Sequence, residues 1–147
     1  MSQSTIAANI ERAIGSYIDA CNRGDEDAIA ACFARDAVHY FPTGPKWSGA
    51  ATIAGNFSKG VRARGLVWTI DHVAVDAERL EGVLEWSQFE TSDRVLRGVD
   101  WFVFEPGSLW IREIRAYGAA PVQPDLAVQE LRDFDYIGRG YPVARPA

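Results

Sequence analysis

The side chains best placed to do chemistry are one carboxylate and the groups that could share a cavity with it. Asp100 stands in the run Val95 to Phe104, VLRGVDWFVF, among aliphatic and aromatic neighbours. A carboxylate on the buried side of such a strand is costly unless it is paired, protonated or used. Tyr17, Glu85, His39 and Tyr40 are the titratable side chains expected beside it. Two carboxylates in one cavity, Asp100 and Glu85, would raise at least one pKa by burial and mutual repulsion, leaving one acid to donate and one base to accept. A tyrosine hydroxyl there would hold a developing oxyanion, worth on the order of 3 kcal/mol per donor. The expected roles are Asp100 or Glu85 as acid or base, Tyr17 as oxyanion donor, and His39 or Tyr40 as a second proton carrier. Trp47, Trp68, Ser87, Phe102, Trp110, Arg112 and Ile114 are the expected substrate-contacting residues. Each group also has a plainer reading. Asp100 could be a structural acid bonded to Tyr17, Glu85 could pair with Arg112 across strands, and the tryptophans could be core or rim.

Other chemistries find no pattern. The two histidines, His39 and His72, lie far apart, and Cys21 and Cys32 make no ligand spacing with them, so neither a metal nor a cofactor is expected. The chain has no glycine-rich phosphate loop and no Gly-x-Ser-x-Gly nucleophile motif.

The elements that must position these residues follow from periodicity. Ser4 or Thr5 is expected to cap a first helix with Ile6, Ile10, Ile14, Tyr17, Ile18 and Cys21 on one stripe, ended by Gly24. Asp25 caps a second helix carrying Ile29, Cys32 and Phe33. A short strand spans 38–41, and Ser48 is expected to cap a third helix closed by Gly65. From Leu66 the pattern changes to period two, giving strands at about 66–75, 82–91, 95–104 and 109–117. Pro106-Gly107 is the turn between the last two. Short connections favour antiparallel neighbours, so the chain reads as α+β, three N-terminal helices packed on a curved antiparallel sheet in the order α-α-β-α-β-β-β-β. Residues 1–120 form the domain. Residues 121–147 are a proline-bounded tail, expected to form a short helix over the pocket or against a partner subunit.

The 147 residues suffice for one substantial core. A net charge of -5 argues against nucleic acid as a partner. No apolar run reaches membrane-spanning length, and the first residues lack a signal-peptide plan. The two cysteines are expected to be buried thiols on neighbouring helices, which fits a cytoplasmic location.

The residues that fill this order, Tyr17 to Asp25 (YIDACNRGD), Phe33 to Ala37 (FARDA), Ser48-Gly49, Val99 to Phe104 (VDWFVF), Gly107 and Ile114 to Tyr117 (IRAY), resemble the nuclear transport factor 2-like superfamily. That superfamily includes ketosteroid isomerases, polyketide cyclases and limonene epoxide hydrolases. The resemblance implies a cone-shaped α+β fold, which by itself specifies function poorly. In the ketosteroid isomerase pattern Tyr17 falls at the oxyanion tyrosine and Asp100 at the hydrogen-bonding acid. At the general base the chain departs from it, with Tyr40 at that position and His39 beside it. The Asp-Arg-Asp set of limonene epoxide hydrolases is absent, with Ala116 where that family has an Asp. The family register turns Val83, Glu85, Ser87 and Phe89 inward with Asp100, and Trp110, Arg112, Ile114 and Ala116 toward the helices. It leaves Trp86, Val99, Trp101 and Val103 outward, as the patch of a homodimer. The expected activity is a cofactor-independent isomerase, dehydratase or carbon-carbon lyase on a hydrophobic, aromatic or cyclic small molecule. The alternatives are a non-catalytic dimer that binds a hydrophobic ligand or a partner, and a hydrolase using a carboxylate-activated water.

Overall fold

The structure, a computed structural model, describes residues 1–119 and 125–147. Helix α1 (Gln3–Arg23) begins at Ser2, whose side chain accepts the Thr5 N–H, two or three residues before the expected cap. It ends on Gly24 in the left-handed conformation, and its apolar stripe buries Ile10, Ile14, Tyr17, Ile18 and Cys21. Asp25 caps α2 (Glu26–Ala31) through the Ala28 N–H. Cys32 is already the C-cap of that short helix, and Phe33 opens strand β1 (Phe33–Tyr40). Both thiols are free. A two-residue strand, β2 (Trp47–Ser48), leads into α3 (Ala50–Arg64). Gly49 holds the N-cap position of α3 with no side-chain bond, so Ser48 belongs to a strand and not to a cap.

The meander follows as β3 (Val67–Asp76), β4 (Glu81–Phe89), β5 (Val95–Phe104) and β6 (Ile111–Gly118). The described residues form one sheet in the order β2-β1-β6-β5-β4-β3. The meander is antiparallel throughout, while β1 runs parallel to β6. In the tail, β7 (Val128–Gln129) pairs parallel with Val95 and Leu96 at the start of β5. There the described residues place a strand where a short helix was expected. The boundary expected at 120/121 lies outside the described residues.

Helices cover one face only. Ile10 and Ile14 pack on β4 so closely that a Cβ on Gly82 would stand 2.8 Å from Ile14 Cδ1. The core between helices and sheet includes Tyr17, Ile53, Leu84, Phe102, Phe104 and Ile114. Among the described residues no helix is long and apolar enough to cross a membrane.

Candidate active site

Register decides which side chains meet. Asp100 pairs with Leu84 on β4 and with Ala116 on β6, so these three share the helix-facing side. The expected register on β4 is therefore off by one residue. Leu84 and Trp86 face inward, and Val83, Glu85 and Ser87 face outward. On β6, Ile111 pairs with Phe104 and Glu113 with Val103, which makes Arg112 the extra residue of a bulge. The bulge turns Arg112 to solvent, and Trp110 just before it is 51% exposed, so neither reaches a pocket. Ile114 and Ala116 do face the helices.

Between the helices and the inner sheet face lies a cavity of about 480 Å³. Asp100, Tyr17 and Trp86 lie along its wall with Cys21 and Ala116. Trp47, Phe57, Trp68 and Phe41 make an aromatic belt in mutual edge or tilted contact, with ring centroids 4.4 to 6.3 Å apart. Arg64, Glu90, Arg94 and the 42–45 loop also line it. Gln129 brings the tail strand to the same cavity.

Asp100 is 7% exposed. Burial pushes its carboxyl from the usual 3.8 up to about 7, with the neighbouring Trp86 indole pulling the other way. Tyr17 stands edge-on between Phe33 and Phe102, at 5.4 and 5.8 Å. Its pKa is raised well above the usual value by burial, then by Cys21 and by the charge of Asp100, so the phenol stays protonated. Burial lowers His39 to about 3, so the ring is neutral. Its Nδ1 lies 3.2 Å from the Tyr40 carbonyl, which can only accept, so Nδ1 carries the hydrogen and Nε2 the free lone pair. The imidazole stacks on Phe41 at 4.2 Å.

Thus Asp100, Tyr17, His39, Trp47 and Trp68 line one cavity. Phe102 and Ile114 lie in the core behind the cavity wall. Tyr40 is exposed and lines a separate, shallower recess with Arg115 and Tyr117.

Glu85 and Ser87 occupy the other face. A register shift in β3 between Ile70 and His72 places both Asp71 and His72 on that face. There Glu85 Oε1 bonds His72 Nδ1 at 2.8 Å and accepts the Tyr141 hydroxyl, while Ser87 donates to Asp71 at 2.7 Å. Glu85 therefore pairs with His72 and the tail rather than with Arg112. The carboxylate pair expected in one cavity is not assembled.

Sequence reasoning missed Trp86 as a cavity residue, although polar Glu85 between apolar Leu84 and Trp86 already signals which side is buried. It also missed Arg97, which is sealed under the tail, and the sequence carries no local signal for that. Among the described residues no group of three or more His, Cys, Asp and Glu is placed to hold a metal ion.

A family model described as the SnoaL-like domain matches residues 14–112. The chain belongs to the SnoaL-like family, within the nuclear transport factor 2-like superfamily. A solved protein from Methylobium petroleophilum, described as of unknown function with a cystatin-like fold, is 45% identical, with 96% of this chain and 95% of that one covered and a TM-score of 0.76. A protein of Kribbella flavida, provisionally described as a ketosteroid isomerase, is 16% identical over 82% of this chain and 84% of its own, with a TM-score of 0.67. A provisionally described polyketide cyclase of Sinorhizobium meliloti is 20% identical over 72% and 94%, with a TM-score of 0.63. The last two likenesses concern the fold alone. No curated protein matches the chain.

Proposed function

We propose that this SnoaL-like protein is an acid-base enzyme acting on a hydrophobic, aromatic or cyclic small molecule, as an isomerase, dehydratase or carbon-carbon lyase. The observation that carries the reading is Asp100: a buried carboxyl on the wall of an aromatic-lined cavity, with its pKa raised to about 7. Such a group is about half ionised at neutral pH and can both take and return a proton. The substrate carbon acid would lose its proton to ionised Asp100, and the protonated Tyr17 hydroxyl would donate to the oxygen that gains charge. His39, neutral and held through Nδ1, offers Nε2 as a second acceptor. Structural neighbours described as ketosteroid isomerase and polyketide cyclase support this class of chemistry.

One observation favours a second reading, a non-catalytic binder of hydrophobic ligands. Glu85 lies on the outer face, so the cavity lacks the expected partner carboxylate. The same fact takes away the Asp100–Glu85 pair on which the hydrolase reading rests, leaving Asp100 and Glu90 as the carboxylates that line the cavity.

A thermal-shift screen against steroids, polyketides, terpenoid epoxides and lignin-type aromatic dimers, followed by turnover assays, separates the two. Asp100→Asn is expected to fold, to bind the hit, and to lower turnover at least about a hundredfold. A hit left intact by both proteins would establish the binder.

A further inference from the structure

Gly98 is the cross-strand partner of Trp86, and the Trp86 ring lies directly over it. A Cβ at Gly98 would stand 2.5 and 2.6 Å from Trp86 Cζ2 and Cη2, and 2.6 Å from the Tyr117 carbonyl. No side chain fits there, so the glycine creates the bed in which the indole lies flat against β5. Asp100 is two residues along on the same face, and the strand beyond it offers only the small Ala116. The indole is thereby set beside the carboxyl.

Trp86 is 6% exposed, and its Nε1–H is shut off from solvent with no hydrogen-bond partner of normal geometry among the described residues. A buried donor left unpaired costs about 1–3 kcal/mol, so its retention calls for an explanation. A ligand in the cavity cannot supply the acceptor, because the nitrogen has no open surface for a ligand atom to touch. Asp100 can, since it stands two residues from Gly98 on the same face of β5 and shares the cavity wall with Trp86, whose indole pulls the carboxyl's proton affinity down.

We propose that Trp86, laid across Gly98, is the positioning residue of Asp100: its indole N–H closes a hydrogen bond on the carboxylate when the acid ionises and relaxes when it is protonated. This deepens the acid-base reading and rests on it for its catalytic meaning. Without that donor burial would keep Asp100 protonated to higher pH. With it, the proton can leave. The unpartnered indole N–H in the structure is one end of this cycle, the end that belongs to the protonated acid.

The test needs no substrate, so its failure is separable from failure of the enzymatic reading. In uniformly labelled wild-type protein, the Trp86 indole ¹H–¹⁵N resonance and the Asp100 carboxyl ¹³C resonance are followed across pH, each assigned by Trp86→Phe or Asp100→Asn. Both should titrate with one shared midpoint, the indole proton moving downfield as the acid ionises. In Trp86→Phe the Asp100 midpoint should rise by about one to two pH units, the worth of a hydrogen bond to a charged group. An indole resonance that stays flat through the Asp100 titration would overturn the proposal even if Trp86→Phe failed to fold. An unmoved midpoint in a folded Trp86→Phe would do the same.

Discussion

Asp100 and His39 set opposite pH slopes on stability, and the sum is measurable. Asp100 has its folded pKa raised from 3.8 to about 7 by burial. The folded state keeps a proton that the unfolded chain releases, so stability is lost as pH rises from about 4 to about 7, on the order of 4 kcal/mol in all. His39 has its folded pKa lowered from 6.5 to about 3 by burial, so its share is present above 6.5 and is lost as pH falls toward 3. Between about pH 4 and 6.5 the two slopes oppose each other. Asp100→Asn removes one of them and should unmask the other. Its stability in urea is expected to climb with pH across that window while the wild type stays nearly flat, and it should exceed the wild type most at pH 7 and above. Parallel curves for the two proteins would mean that Asp100 titrates as an ordinary surface acid. These residues were legible in the sequence because a carboxylate in an apolar strand and a histidine before an aromatic run stand out by type alone. The inward direction of Trp86 was legible too, from polar Glu85 between two apolar neighbours, but its place beside Asp100 was not, because that depends on Gly98 across the sheet.

Register, and not residue type, separated the expected site from the observed one. The types and order of the longer elements were readable from periodicity, the two-residue strands β2 and β7 were not, and Gly24, Asp25 and Gly65 mark helix ends where expected. Irregularities are another matter. The extra residue at Arg112 and the shift between Ile70 and His72 each reassign side chains to a face, and neither has a signature in a single sequence. The close approach of α1 to β4 is equally silent, although its consequence can be tested at Gly82. A Cβ there would meet Ile14 at 2.8 Å and Ile10 at 3.3 Å. Gly82→Ala needs only a small movement of the Ile14 tip. Gly82→Val adds two methyl groups under the helix, and overpacking of this kind costs about 1–3 kcal/mol. The expected outcome is a lower urea midpoint with unchanged slope for Val and a much smaller change for Ala. Equal midpoints for wild type and Gly82→Val would show that α1 sits farther from the sheet.

Across the whole molecule, the outer sheet face is shared between the tail and any second copy. The homodimer expected through Trp86, Val99, Trp101 and Val103 loses Trp86 to the cavity, and stands as a proposal on the remaining three. Part of the face is already occupied by the chain itself. Arg97 on β5, 5% exposed, donates to Ser87 at 2.6 Å and to the Pro142 carbonyl at 2.8 Å, with its guanidinium 4.2 Å from the Tyr136 ring centre. Glu130 stands 3.4 Å from it. A buried guanidinium is tolerated only with such partners, and most of them belong to residues 130–142. Tyr141 adds its bond to Glu85, and β7 extends the sheet at Val95 and Leu96. The tail thus closes the outer face over a charge and lends Gln129 to the cavity on the inner side. Removing residues 125–147 should therefore do more than trim an end. It strands Arg97 without its carbonyl and aromatic partners, which at about 2–3 kcal/mol corresponds to a fall in Tm on the order of 10 °C. It also bares the Val99 side of the face, so the truncated protein should self-associate more strongly than the full chain in light scattering after size exclusion. Arg97→Met in the truncated protein should recover part of the lost Tm, because the stranded charge is then gone. A truncated protein as stable as the full chain, with no rescue by Arg97→Met, would show that the tail is only loosely docked.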